Sequence, residues 1–148
     1  MIIGVHTGSV FACLLTTTGQ IYSFGKAAFT GHGEREDTYL PRRIEHALLE
    51  ECVIQVTVAT EGFHTMALTA NQKLFAWGHN RVGQLGIRSH SYNNTGGGEE
   101  GSDILMERNE DGGYYQPIPR QVILPSTSSA ATAIKQVTDG VCNSSNCI

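Results

Sequence analysis

The sequence predicts an all-β protein, a partial β-propeller of about two four-stranded antiparallel blades. Three observations carry this. FACLLTTTGQIYSFG (residues 11–25) lies over HTMALTANQKLFAWG (residues 64–78) without a gap, at an offset of 53 residues. A fixed period of this size marks a stacked repeat architecture. The repeated stretches alternate as strands do and end in aromatic-Gly, which in tandem four-stranded units reads as propeller blades.

Within each unit the elements follow one order. A short apolar strand leads in, at residues 53–58 of the second unit, with Val5 over Val58 at the same offset. A second strand puts His64, Met66 and Leu68 on one face, as it does Phe11, Cys13 and Leu15 in the first unit. A turn at Thr18-Gly19, or at Asn71-Gln72, leads to a third strand in which Leu74 and Ala76 oppose Phe75 and Trp77. Apolar residues on both faces suit strands covered on both sides. A loop then reaches Pro41-Arg42-Arg43-Ile44 in one unit and Pro119-Arg120-Gln121-Val122 in the other. The proline is placed at a strand start or edge, where no ladder N–H is lost. Residues 46–51 are read as one helical turn between the units.

The expected organisation is therefore a divergent first repeat at 1–52 and a second repeat at 53–87 and 117–133. A Gly-rich acidic loop, read as disordered, interrupts the second repeat at 88–116. A third repeat starts at 134–148, where residues 134–140 repeat the lead-in strand before the pattern fades.

The 148 residues suffice for one domain with a core. At 40% hydrophobic and 16% charged residues, the composition is not that of a disordered chain. A formal net charge of −4 argues against nucleic acid as a partner of this segment, because phosphate binding draws on an excess of Lys and Arg. No apolar run approaches the roughly 20 residues of a membrane helix, so no membrane partner is expected. MIIGVHTGSV lacks the basic start and long apolar stretch of a secretory signal. Cys13, inside an apolar run, reads as a free buried thiol. The expected setting is intracellular, cytoplasmic or nuclear.

FAWGHNRVGQLG (residues 75–86) raises the question of a phosphate loop. It lacks the Lys-Ser/Thr of a P-loop and the spacing G-x-G-x-x-G. Its glycines are read instead as turn geometry with positive φ, with Asn80 and Gln84 bonding the turn's own backbone. The histidines show no zinc-like pairing, and Cys142 and Cys147 lack a second pair, so no metal is expected. No acid or nucleophile is spaced around His64, which reads as structural, its ring bonded to nearby backbone. No G-x-S-x-G elbow occurs. Glu34, Glu36 and Asp37 read as a solvated charge run. No catalytic residue and no cofactor are nominated. Lys26, Arg35, Arg42, Arg43 and Arg81 are candidates to line one rim. Ile104, Leu105 and Met106, the apolar patch of the 88–116 loop, are a candidate partner-docking motif.

These residues resemble the regulator of chromosome condensation repeat family. Its pattern runs lead-in strand, Gly, two residues, His-Thr/Ser, an apolar strand, then aromatic-Gly-x-Asn-x-x-Gly-Gln-Leu-Gly. His64, Trp77, Gly78, Asn80, Gly83, Gln84, Leu85 and Gly86 match it. The first unit keeps Gly8, Phe24 and Gly25, and its Gly31-His32-Gly33 with Pro41 resembles a variant found in large ubiquitin-ligase members. Pro119 and Gly140 complete the signature positions. Glu61 stands where the family prefers glycine, and Phe11 replaces the first histidine. The resemblance implies a seven-bladed ring, so a fragment or truncated product of a larger protein is expected. It further implies a non-enzymatic interaction scaffold. Its partners would be the remaining blades of the parent and another protein: a small GTPase, a ligase component or a kinase. Guanine-nucleotide exchange on a small nuclear GTPase is the alternative function, and a non-functional fragment is another.

Overall fold

The computed structural model describes residues 1–61, 63–87, 107–108 and 114–123. β1 (Ile2–Thr7), β2 (Phe11–Thr16), β3 (Ile21–Gly25) and β4 (Thr38–Arg43) form one antiparallel sheet in chain order. β5 (Val53–Ala59), β6 (His64–Thr69) and β7 (Leu74–His79) begin the second. It continues through β9 (Tyr114–Val122), on whose far side lies the two-residue β8 (Glu107–Arg108). A one-turn helix α1 (Ala27–Thr30) precedes β4, and a 3₁₀ turn at His46–Leu48 joins the sheets. The described part is thus an unclosed arc of two blades. The third-repeat positions, Gly140 among them, and Ile104, Leu105 and Met106 lie outside the described residues.

Pairing reproduces the repeat where β2 and β3 meet: Cys13 faces Ser23 and Met66 faces Ala76, 53 residues on. The lead-in strand is different. Val5 pairs with Leu14, but Val56 pairs with Ala67, the counterpart of Leu14. Val56, not Val58, is therefore the partner of Val5 in the repeat. Between these equivalent pairs the connection from β5 to β6 carries two more residues than that from β1 to β2, so an ungapped comparison misplaces everything before it.

The fourth strands also differ from expectation. Gly25 pairs with Thr38 and Ser23 with Arg42; Gly78 pairs with Gln116 and Ala76 with Arg120. Residues 39–41 thus oppose Phe24 alone, and residues 117–119 oppose Trp77 alone. Pro41 lies on an edge strand, as expected, but both Pro41 and Pro119 sit inside these bulges rather than at a strand start, and a bulge releases a proline from the ladder. Strand pairing reaches back to Tyr114, so residues 107–108 and 114–116, within the segment expected to be a disordered loop, are strand.

Gly25 and Gly78 explain the aromatic-Gly signature. Lys26 N–H bonds Val10 O, and His79 N–H bonds Phe63 O, both at 2.9 Å. This draws the end of the third strand onto the start of the second. The glycines take φ of +119° and +100°. A Cβ at Gly78 would lie 2.5 Å from Phe63 O, and one at Gly25 would strike Val10 O.

The core fills the seam between the sheets. Phe11, Cys13, Leu15 and Ile21 from the first meet Val56, Val58, Ala67, Phe75 and Trp77 from the second, with Ile44 and Leu48 from the link. These two faces are not equivalent. Ala67, Phe75 and Trp77 repeat Leu14, Tyr22 and Phe24, which point away from the seam on the far side of the first sheet. Phe11, Cys13, Leu15 and Ile21 recur as His64, Met66, Leu68 and Leu74, on the far side of the second, where Leu85, Ile87 and Val122 gather. Each sheet presents one kind of face forward and the other kind backward.

Candidate functional site

Strand alternation brings the turn at residues 8–10, the segment 26–37, the turn residues Thr60, Glu61 and Phe63, and the loop 80–87 to one end of the two sheets. Ser9 Oγ donates to Thr60 O at 2.7 Å across that end. The rings of Phe11, Phe29 and Phe63 run beneath it, with centroids 6.0 and 5.4 Å apart. This rim is the candidate site.

The loop 80–87 is bonded to itself. The buried Asn80 accepts Leu85 N–H on Oδ1 at 3.0 Å, and its own N–H donates to Tyr114 O at 2.8 Å. Gln84 accepts Val82 N–H on Oε1 at 3.0 Å and donates through Nε2 to His79 Nδ1 at 3.2 Å. His79 thus holds an unprotonated Nδ1. Burial, aided by Arg81 and His64, pushes its pKa down, which agrees. Gly83 and Gly86 adopt φ of +79° and +62°. Leu85 is fully buried, whereas Arg81 and Val82 are exposed. No helix follows to receive an anion among the described residues.

The first unit solves the same problem with other side chains. Ser23 Oγ–H donates to Thr30 O at 2.6 Å, so its one proton is committed there. His32 Nε2, 3.0 Å from Ser23 Oγ, must therefore carry the donor proton. Burial lowers the pKa of His32, keeping it neutral. His46 Nε2–H donates to His32 O at 3.0 Å, and Asp37 Oδ1 accepts Ala27 N–H at 3.0 Å. Sequence reasoning missed this network and read Asp37 as solvated. The one signal for it was His32 within the Gly-His-Gly run.

Other signature residues lie where the two units touch. Gly31, at φ +86°, closes α1, and a Cβ there would come within 2.9 Å of Trp77 Nε1. Gly33 N–H donates to Pro117 O across the units at 3.1 Å. Gly8 N–H bonds Phe11 O at 2.9 Å, and His64 stands opposite Gly78, half-buried. Of the five cationic residues expected on one rim, Arg42 reaches it by pairing with Glu34 at 2.6 Å, an exposed bridge that lowers the Glu34 pKa. Arg43 does not. Its guanidinium bonds Leu49 O at 3.0 Å, toward the opposite end.

Among the described residues, no group of three or more His, Cys, Asp or Glu is placed to hold a metal. Cys13 is fully buried, and burial pushes its thiol up to about 12 despite the nearby Thr65 hydroxyl. No helix among the described residues is long and apolar enough to cross a membrane.

Residues 56–84, which include β6, β7 and most of the self-bonded loop, match the sequence family described as the regulator of chromosome condensation (RCC1) repeat. This chain is built from regulator of chromosome condensation repeats. Human RCC1 domain-containing protein 1 is 30% identical over 148 residues, covering 87% of this chain and 38% of that protein. A bifunctional serine/threonine-protein kinase/NEDD4-like E3 ubiquitin-protein ligase of Dictyostelium discoideum is 32% identical over 92 residues, 61% of this chain and 5% of its own length. The chain thus spans well under half the length of these relatives. Among solved structures, Prp20p of Saccharomyces cerevisiae superposes with a TM-score of 0.62 at 16% identity, over 93% of this chain and 28% of that one. That likeness shows the fold, and the neighbours are β-propellers. The two repeats here are two blades of that architecture.

Proposed function

We propose that this chain is a non-catalytic protein-interaction module, and that the rim formed by residues 26–37, by Thr60, Glu61 and Phe63, and by residues 80–87 is its contact surface. One observation carries the reading. In the loop 80–87 the side chains of Asn80 and Gln84 are spent on the loop itself, while Arg81 and Val82 project outward, Val82 being 80% exposed. Rigid backbone beneath exposed side chains is how repeat scaffolds present binding residues. The relatives agree in kind. Prp20p is described by its binding to Gsp1p and histones, and several similar chains are parts of ubiquitin ligases.

The test compares capture of protein partners from cell extract by the unaltered chain, by Arg81→Glu/Val82→Glu, and by Ala70→Glu at the opposite end. The rim variant loses the specific partner and Ala70→Glu keeps it. Equal retention by both variants refutes the rim. Faster nucleotide release from a small GTPase when the chain is added favours exchange instead.

A further inference from the structure

The loop 80–87 carries a proton-sensitive lock beneath the residues it presents. Val82 N–H is a fixed donor, and it meets Gln84 Oε1 at 3.0 Å. That decides which way round the Gln84 amide lies. Its Nε2 then faces His79 Nδ1 at 3.2 Å, so the ring accepts there. The three groups have one consistent arrangement: His79 bare at Nδ1, Gln84 donating to it, and Val82 donating to Gln84. A proton on Nδ1 sets donor against donor. Gln84 answers by turning its amide over, which gives Oε1 to the imidazolium and leaves Nε2 against Val82 N–H. The charged bond so gained is roughly twice as strong as a neutral one. Val82 is exposed, so its freed N–H finds water.

We propose that His79 is a pH switch for the rim: protonation at Nδ1 turns Gln84 over, unfastens the Arg81–Val82 tip of the loop and loosens the rim's hold on its protein partner. The last step rests on the rim being the contact surface; the others do not. The surroundings set the direction. His79 lies on β7 opposite the buried Tyr115 of β9, and the charged groups that bear on it are Arg81 of the loop and His64 of β6. Burial opposes a proton on the ring, and Arg81 and His64 add to it, so the ring titrates below the ordinary value of 6.5. The fastened loop therefore belongs to the neutral ring, and acid opens it. Asn80 takes no part. Its Oδ1 holds Leu85 N–H at 3.0 Å, and neither group titrates. The loop thus has one bond that senses pH at its tip and one that does not at its base.

Nuclear magnetic resonance of the full chain reads the switch with no partner present. As pH falls, the His79 ring nitrogens and the Val82 amide shift together, at one midpoint below 6.5, and the Leu85 amide does not follow. Gln84→Glu reverses the sign. Its carboxylate accepts from Val82 N–H and from a protonated Nδ1 at once, so the ring titrates above 6.5 and Val82 stays fastened throughout. His79→Asn, whose amide oxygen still accepts from Gln84, removes the Val82 shift. Capture of the rim partner is then compared at pH 7.5 and 5.5. The unaltered chain releases it at the lower pH and His79→Asn retains it. A Val82 amide that stays still while the ring titrates overturns the switch, as does a Leu85 amide that moves with Val82, or a Gln84→Glu ring that titrates below that of the unaltered chain. Equal capture at both pH values, with Arg81→Glu/Val82→Glu still abolishing it, overturns the control of binding. If that rim variant keeps the partner, the rim reading fails instead, and the resonance shifts alone judge the switch.

Discussion

Replacing Gly78 by Ala separates two reasons for a glycine that are usually confounded. At φ +100° any L-residue is strained, at a cost of about 1–3 kcal/mol. The new Cβ would also sit 2.5 Å from Phe63 O and 2.9 Å from His64 Cα, both backbone, where ordinary contact starts at 3.4 Å. The start of β6 must move by most of an ångström, which pulls on the bond from His79 N–H to Phe63 O. Overpacking of this kind adds about 1–3 kcal/mol. The expected loss is about 4 kcal/mol, on the order of a thousandfold in the folded-to-unfolded ratio. Gly83 is the control. It has φ +79°, but a methyl group there would meet nothing within 4 Å, so Gly83→Ala carries only the backbone strain, about 1–2 kcal/mol. Urea titrations followed by the fluorescence of Trp77, the single tryptophan, read both variants through the strand that carries Gly78. Equal losses for the two variants, within about 0.5 kcal/mol, would refute the close-approach argument.

Asn80→Ala strands the buried Leu85 N–H and costs about 1–3 kcal/mol in the same titration, while Asn80→Asp, which keeps an acceptor oxygen, costs less. His32 and His79 have pKa values lowered by burial, so below pH 6.5 the unfolded chain binds protons that the folded chain refuses. Stability is therefore full above that value and falls as pH drops through it, levelling off below the folded pKa values. His32→Asn flattens this dependence; an unchanged slope by urea titration at pH 7.5 and 5.5 contradicts the assignment. The Cys13 thiol, buried and raised to about 12, resists iodoacetamide at pH 8 while exposed Cys52 reacts, and both react in urea, as peptide mass mapping would show.

The unit order and the 53-residue pairing of β2 with β3 were legible because the second strand and the turn after it have the same length in each copy. The aromatic-Gly signature was legible as a turn, but not as the close approach of two backbones, since Val10 and Phe63 share no side-chain chemistry that would flag their carbonyls. The lead-in register was illegible because a longer turn is invisible to ungapped comparison. The bulges were hidden for a related reason: a proline announces an interrupted ladder without saying where along the strand the interruption falls. At the rim, Asn80 and Gln84 could be read from their spacing. The Ser23–His32–His46 chain could not, because it is assembled from residues whose proximity depends on α1 and the 3₁₀ turn.

The seam between the sheets has a consequence for how the molecule comes apart. Its largest apolar cluster belongs to neither blade, being drawn about equally from both, with Ile44 and Leu48 of the link completing it. The first blade on its own is one layer of strands with nothing to fold around, and the second keeps only the small cluster of Ala76, Leu85, Ile87 and Val122. Cooperativity therefore resides in adjacency rather than in the individual unit, as in other repeat arrays. Cleavage in the link at residues 44–52 would not release two smaller folded pieces. It would leave two sheets that persist only while they remain together, and dilution of the nicked chain would melt them in a single step.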